Sequence, residues 1–257
     1  MNEVLERIEE ALDAAGRVLQ RFTPGAIEAR RKEGGDPVTE ADLAVNEALL
    51  EILPRDGEGW LSEETRDDPA RLECRRVWVV DPIDGTKEFV TGIPEWCVSI
   101  GWVEDGRARA GGIFNPAAGH RVVGALGEGV RLNGEPASPK TAASLAGAVV
   151  LASRSEIGRG EWSIYDDRPF TVRPMGSVAY KMGRVAAGLD EATWTLAPKN
   201  EWDVAAGTAL VEAAGGRVFV PTTGERPPFN QPKTKMPGLV ALGAETVSLW
   251  DGETFSL

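Results

Sequence analysis

The sequence predicts an α/β (α+β) fold in which helices and sheets stack in layers around a shared core. Three features of the 257 residues point to it. The N-terminal stretch carries apolar residues at helical spacing. A succession of short apolar runs is closed by glycine turns. The second half then alternates the same two patterns. We read the chain as a single domain over residues 1–257, with an N-terminal lobe to about residue 140 and a C-terminal lobe from about residue 141.

Val4, Leu5, Ile8, Ala11, Leu12, Ala15, Val18, Leu19 and Phe22 share one stripe of a first helix, which Pro24 and Gly25 end. A basic loop over 30–36 leads to Thr39, an N-cap with Asp42 three positions on. The helix so opened puts Val45, Leu49, Ile52 and Leu53 on its apolar side and breaks over 54–59. Residues 77–80 form a short buried strand. Strands over 97–103 and 108–114 follow, joined by a turn at Asp105-Gly106. Residues 120–126 form another, stopped at Gly127 and Gly129. The seam between lobes falls near 136–144. Residues 149–152 then begin the second half, and helices are expected over 176–187 and 202–214. Ala205, Ala206, Ala209 and Ala213 give the last helix a small-residue packing face, and Gly215-Gly216 ends it. Strands at 218–220 and 239–242 complete the pattern.

Composition excludes several function classes. There are 40 acidic and 28 basic residues, a net charge of -12. Binding to a nucleic acid polymer or an anionic membrane surface calls for the opposite balance. No apolar run approaches the ~18–20 residues of a bilayer span, and the charged N-terminal segment does not resemble a signal peptide. The expected location is cytoplasmic, with Cys74 and Cys97 as reduced, buried thiols. The single histidine, His120, reads as a strand residue rather than a catalyst.

The chemistry concentrates at Asp81-Pro82-Ile83-Asp84-Gly85-Thr86, where a strand ends. Two carboxylates three residues apart, on a turn stiffened by Pro82 and freed by Gly85, converge on one point. Carboxylates without neighbouring Cys or His suit a hard cation, and Mg²⁺ is the natural choice. A short helix starting at Thr86 would aim free N–H groups at a phosphate. Ser62-Glu63-Glu64, Asp42 and Trp202-Asp203 add further acidic positions, each of which taken alone reads as a solvated loop or a helix cap.

Taken in order, Asp36-Pro37-Val38-Thr39-Glu40-Ala41-Asp42, Ser62-Glu63-Glu64, Asp81-Pro82-Ile83-Asp84-Gly85-Thr86 and Trp202-Asp203-Val204-Ala205-Ala206-Gly207 resemble the inositol monophosphatase family. The resemblance implies a layered αβαβα sugar-phosphatase-like fold and a Mg²⁺-dependent, lithium-sensitive phosphomonoesterase that binds two or three ions. It implies Glu63, Asp81, Asp84, Asp203 and the Ile83 carbonyl as metal ligands. Asp42 and Thr86 would orient the attacking water, with Glu63 helping to deprotonate it. The amides of Gly85 and Thr86 would hold the phosphate, with Asp84, Asp203, Ser153, Gly176 and Ser177 at the substrate. A small phosphorylated substrate and a homodimer are the partners it implies.

Within the family, Thr86-Lys87-Glu88-Phe89, Leu151-Ala152-Ser153-Arg154-Ser155 and Met175-Gly176-Ser177 are similar to the branch that hydrolyses the 3′-phosphate of adenosine 3′,5′-bisphosphate. That substrate is the first expectation. Inositol 1-phosphate or a broad range of sugar phosphates, including fructose 1,6-bisphosphate, is the alternative. A regulatory, protein-binding member is the reading from a different class. The segment 194–201 departs from the nucleotidase pattern and leaves the leaving-group pocket unassigned. Trp194 reads as core, and Lys32 in the basic loop reads as a solvated loop residue, with approach to the phosphate as the alternative.

Overall fold

The computed structural model describes residues 1–31, 37–140 and 144–249. Lys32, Asp36 and residues 141–143 of the expected seam lie outside the described residues. Six α-helices are described: α1 (Asn2–Leu19), α2 (Glu40–Ile52), α3 (Thr86–Thr91), α4 (Arg154–Gly158), α5 (Val178–Ala186) and α6 (Glu201–Ala213).

A seven-stranded sheet runs in chain order through Glu58–Ser62, Arg76–Asp84, Cys97–Glu104, Arg107–Asn115, His120–Ala125, Gly129–Leu132 and Glu135–Pro136. The first two strands are parallel and every later neighbour is antiparallel. A second sheet of five strands has the order Thr171–Met175, Val149–Ser153, Ala192–Trp194, Val240–Leu242, Arg217–Phe219.

The period-two alternation of Arg76–Asp84 explains the layering. Trp78 and Val80 face one way, against Ile8 and Leu12 of α1 and Val45 and Leu49 of α2. Val77 and Val79 face the other way, in one cluster with Met182 and Val185 of α5 and Val204 and Leu210 of α6. That cluster also takes in Leu151, Val218 and Ala241 of the second sheet. The second sheet's far face, with Val150 and Ala152, is covered by Trp162, Tyr165 and Phe170. Helices, sheet, helices, sheet and a last helical layer succeed one another, as the expected αβαβα order requires.

The small-residue face of α6 is what brings the middle layer close. A Cβ placed on Gly111 would lie 2.6 Å from the Ala206 carbonyl, and Ala205 and Ala206 are fully buried. Gly111→Val is expected to lower stability by about 3 kcal/mol, the upper end for overpacking a filled core, read as a shift of the urea midpoint.

Besides two-residue strands such as Glu135–Pro136, the strands Glu58–Ser62, Gly129–Leu132, Thr171–Met175 and Ala192–Trp194 escape the sequence patterns. The first begins within the expected break because its buried acid is paired rather than exposed. Glu58 accepts from Arg7 of α1 at 2.8 Å and from the Trp78 indole at 3.0 Å. The strand expected over 77–80 also runs further, to Asp84, with a register shift between Asp81 and Asp84. Pro82 sits in that irregularity, where a missing N–H costs no ladder bond.

Candidate active site

The irregular end of Arg76–Asp84 is where the chemistry gathers. Asp81 is buried, and its Oδ1 accepts from the Ile83 N–H at 3.0 Å, which fixes the turn. Gly85 follows with φ 96 and caps α3. A side chain there would be strained in this conformation and would press on the Glu95 carbonyl at 3.0 Å. The glycine therefore lets α3 start directly against the cleft, with the N–H groups of its first turn unused within the helix.

Each remaining acid arrives on the end of its own element. Glu63 follows the strand Glu58–Ser62, its N–H bonded to the Val80 carbonyl at 3.2 Å. Asp203 lies in the first turn of α6 and accepts from the Asn200 N–H at 2.8 Å. Carboxylate oxygens of Glu63, Asp81 and Asp203 all lie within 4.8 Å of one another. Asp84 faces the same cleft from the turn. Its Oδ2 accepts from Ser177 Oγ at 2.7 Å and from the Ala179 N–H at 2.6 Å, at the start of α5.

Asp42 is the buried hub behind them. Its Oδ2 accepts from the Thr39 N–H at 2.9 Å and the Thr39 hydroxyl at 2.5 Å. Thr39 Oγ1 in turn accepts from the Asp42 N–H at 3.4 Å, so the expected capping box forms. Thr86 Oγ1 stands 3.0 Å from both Asp42 Oδ1 and the Ile83 carbonyl. One hydroxyl proton thus has two acceptors, and the threonine bridges α2, the turn and α3.

Electrostatics marks the cage as a place that wants a cation. Burial, then the charges of Glu63, Asp84 and Asp203, push the Asp81 carboxyl well above its ordinary range. Burial and then the Asp84 charge raise Asp203 to about 8. Asp84 is also raised by burial, against the pull of the Ser177 and Ala179 hydrogen bonds. The donors within this cluster are all carboxylate oxygens, which fits Mg²⁺ better than a soft ion.

A cleft of about 320 Å³ opens over the cage, lined by Glu63, Asp81, Ile83, Asp84, Gly85, Thr86, Ser153, Gly176, Ser177 and Asp203. Every expected site residue except Asp42 therefore borders one space, and Asp42 reaches it through Thr86. Ser177 is both the N-cap of α5 and a partner of Asp84. Arg154 also lines the cleft and is held by Glu95, whose Oε2 accepts from the Gly176 N–H at 2.7 Å.

Two of the cleft's basic residues, Lys181 and Lys199, were not foreseen. Lys181 had a readable signal: it stands three residues after Val178 and four before Val185, on the apolar stripe of α5. Glu156 was also missed. It is buried and accepts from Trp162, Thr195 and the N–H groups of Leu196 and Ala197.

Trp194 is core, 5.2 Å centroid to centroid from Trp162. His120 lies on its strand with Nδ1 2.8 Å from the Tyr180 hydroxyl. Both cysteines are free; Cys97 is buried as expected, but Cys74 is only half-buried, at the end of a short 3₁₀ turn near the chain surface.

Layered architecture and an acidic cage beside a helix N-terminus define the class: a metal-dependent phosphoric monoester hydrolase. The chain belongs to the inositol monophosphatase family, whose model matches residues 1–247. It is 30% identical over 238 residues to inositol monophosphatase 3 of Solanum lycopersicum, covering 88% of each chain. It is 34% identical over 201 residues to a fructose-1,6-bisphosphatase/inositol-1-monophosphatase of Thermotoga maritima, covering 76% of each. Among solved structures, CysQ from Bacteroides thetaiotaomicron, a bacterial member of the family, superposes with a TM-score of 0.78 at 25% identity. That match covers 94% of this chain and 97% of the other. No helix among the described residues is long and apolar enough to cross a membrane.

Proposed function

We propose that the protein is a Mg²⁺-dependent phosphatase of inositol and sugar phosphates, with two or three ions held by Glu63, Asp81, Asp84, Asp203 and the Ile83 carbonyl. The observation that carries the reading is the convergence of Glu63, Asp81 and Asp203 oxygens beside the N-terminus of α3. When bound, Mg²⁺ supplies charge to neutralise the phosphate dianion and acidifies its water.

The chain's own groups do the rest. The amides of Gly85 and Thr86 cradle the phosphate oxygens. Thr86, donating to Asp42, turns its oxygen lone pairs toward the nucleophilic water and holds it in line. Glu63 accepts the proton that water gives up. Ser177 and the Ala179 N–H keep Asp84 turned into the cage.

The adenosine 3′,5′-bisphosphate expectation rested on Thr86-Lys87-Glu88-Phe89, with the segments 151–155 and 175–177 in support. The relatives reported above carry inositol phosphate and fructose bisphosphate in their names, which moves the weight to that alternative. The nucleotide reading keeps some support: Glu88 borders the cleft, half-buried, against Gly176, and Ser153 and Ser177 of the other two segments line it as well.

A panel of inositol 1-phosphate, fructose 1,6-bisphosphate and adenosine 3′,5′-bisphosphate, scored by phosphate release with Mg²⁺ or EDTA, tests this. Asp203→Asn serves as the blank. The expected result is Mg²⁺-dependent turnover of the first two above the third. A preference for the nucleotide would restore the other branch, and no release from any of them would overturn the enzyme reading.

A further inference from the structure

Lys181 is a charged side chain in the wrong place for a structural lysine. It is 2% exposed, yet it lines the cleft. Among the described residues its ammonium makes one hydrogen bond, to the Met175 carbonyl at 3.3 Å, and no ion pair. Two of its three donors are thus left over. A buried ammonium is costly unless an anion meets it.

The acids in its surroundings are otherwise engaged. Asp84 is turned into the cage and held by Ser177 and Ala179. Glu156 receives hydrogen bonds from Trp162, Thr195, Leu196 and Ala197. Glu88 lies half-buried on α3, near enough to be felt but outside ion-pair contact. Lys199, on the short strand Lys199–Asn200, lines the same cleft close enough that the two ammonium groups repel. It too lacks an ion pair among the described residues. Two cations that line one cleft, neither of them ion-paired among the described residues, offer a receptor for a dianion.

The wall is rigid. Glu156 stands on α4, two residues after Arg154, and its hydrogen bonds grip the loop that delivers Pro198 and Lys199. Once cations occupy the cage, the Asp84 charge is spent on them, and the lysine pair is left needing an anion from the substrate.

We propose that Lys181, with Lys199, forms a second anion-binding point in the cleft that takes a phosphate carried by the leaving group, and so selects bisphosphorylated sugars over neutral-alcohol monophosphates. The inference rests on the phosphatase reading and names its substrate class.

The test compares wild type, Lys181→Met and Lys199→Ala on fructose 1,6-bisphosphate and inositol 1-phosphate. The measured quantity is the ratio of the two kcat/KM values. Losing a charged hydrogen bond should lower that ratio about tenfold to a hundredfold for Lys181→Met, with a smaller fall for Lys199→Ala. A ratio that stays put, whether both activities fall together or neither does, overturns the proposal. Should Lys181→Met not fold, Lys199→Ala decides alone.

A second readout is independent of turnover. Fructose 6-phosphate, which carries only the second phosphate, should bind the wild-type enzyme in calorimetry and bind either variant at least about tenfold more weakly. Equal binding by all three sinks the subsite. If the wild type hydrolyses neither substrate, the phosphatase reading fails while this binding series still decides the lysine pair.

Discussion

Asp81→Asn is expected to cut kcat/KM by about a thousandfold or more and, in the same preparation without metal, to raise the unfolding temperature. Both effects come from one geometry. Asp81 is buried among Glu63, Asp84 and Asp203, so it is the acid whose charge the cage feels most and whose ionised form costs most without a cation. The sign follows from its raised carboxyl. Below the ordinary carboxylate range, near 3.8, folded and unfolded chains are both protonated and the strain is absent. As pH climbs from there, the unfolded chain releases protons that the folded cage retains, and stability drains away until the folded groups ionise. For Asp203 that window closes at about 8. The metal-free wild type should therefore lose stability between pH 4 and pH 8. Asparagine at 81 removes one charge from the cluster and flattens the slope, worth about 2–4 °C for each kcal/mol relieved in a chain of this size. Adding Mg²⁺ should stabilise the wild type strongly at pH 8 and the variant much less. Melting curves in EDTA and in Mg²⁺ at three pH values measure all of this. A variant that melts lower than wild type in EDTA at pH 8 would show that the carboxylates are not repelling one another as the structure implies.

The layered fold was legible because apolar periodicity reports burial directly. The stripe of α1, the alternation of the strand through Trp78 and the alanine face of α6 each say which side meets a neighbour. What stayed hidden was burial achieved by pairing. Glu58 and Arg7 look solvent-facing in any hydropathy reading, and their mutual contact is what allows a strand to form there. The short strand Ala192–Trp194 is specified by partners far along the chain, Val149–Ser153 and Val240–Leu242, and so leaves little local mark. The cage was readable for a different reason. Its acids are set by element ends, and the capping signal of Thr39 with Asp42 locates one such end, whereas the Asn200–Asp203 cap of α6 was not foreseen. The rest of the cleft lining comes from loops and from the interior of α5, where Lys181, like Glu156 behind the loop at 196–197, takes meaning only from what surrounds it.

Thr86→Val separates the positioning of water from the making of the cage. The substitution keeps the β-branched shape that starts α3 and removes the hydroxyl that stands 3.0 Å from Asp42 and from the Ile83 carbonyl. Asp42 retains its two bonds from Thr39, so the start of α2 stays capped. The stability cost should be that of one buried hydrogen bond with an acceptor left behind, about 1–3 kcal/mol. The activity cost should be far larger. Without the hydroxyl, nothing links the buried Asp42 to the water in the cleft, and kcat should fall about a hundredfold to a thousandfold with KM little changed. Thr86→Ser, which restores the oxygen, should recover most of it. Asp42→Asn should resemble Thr86→Val in kcat and add a folding penalty, because an amide cannot accept as Asp42 does from Thr39 and Thr86 together. Combining the two changes should cost little more kcat than either alone, since each breaks the same link. If the losses multiply instead, Thr86 and Asp42 act on the water separately and the relay between them is not the route.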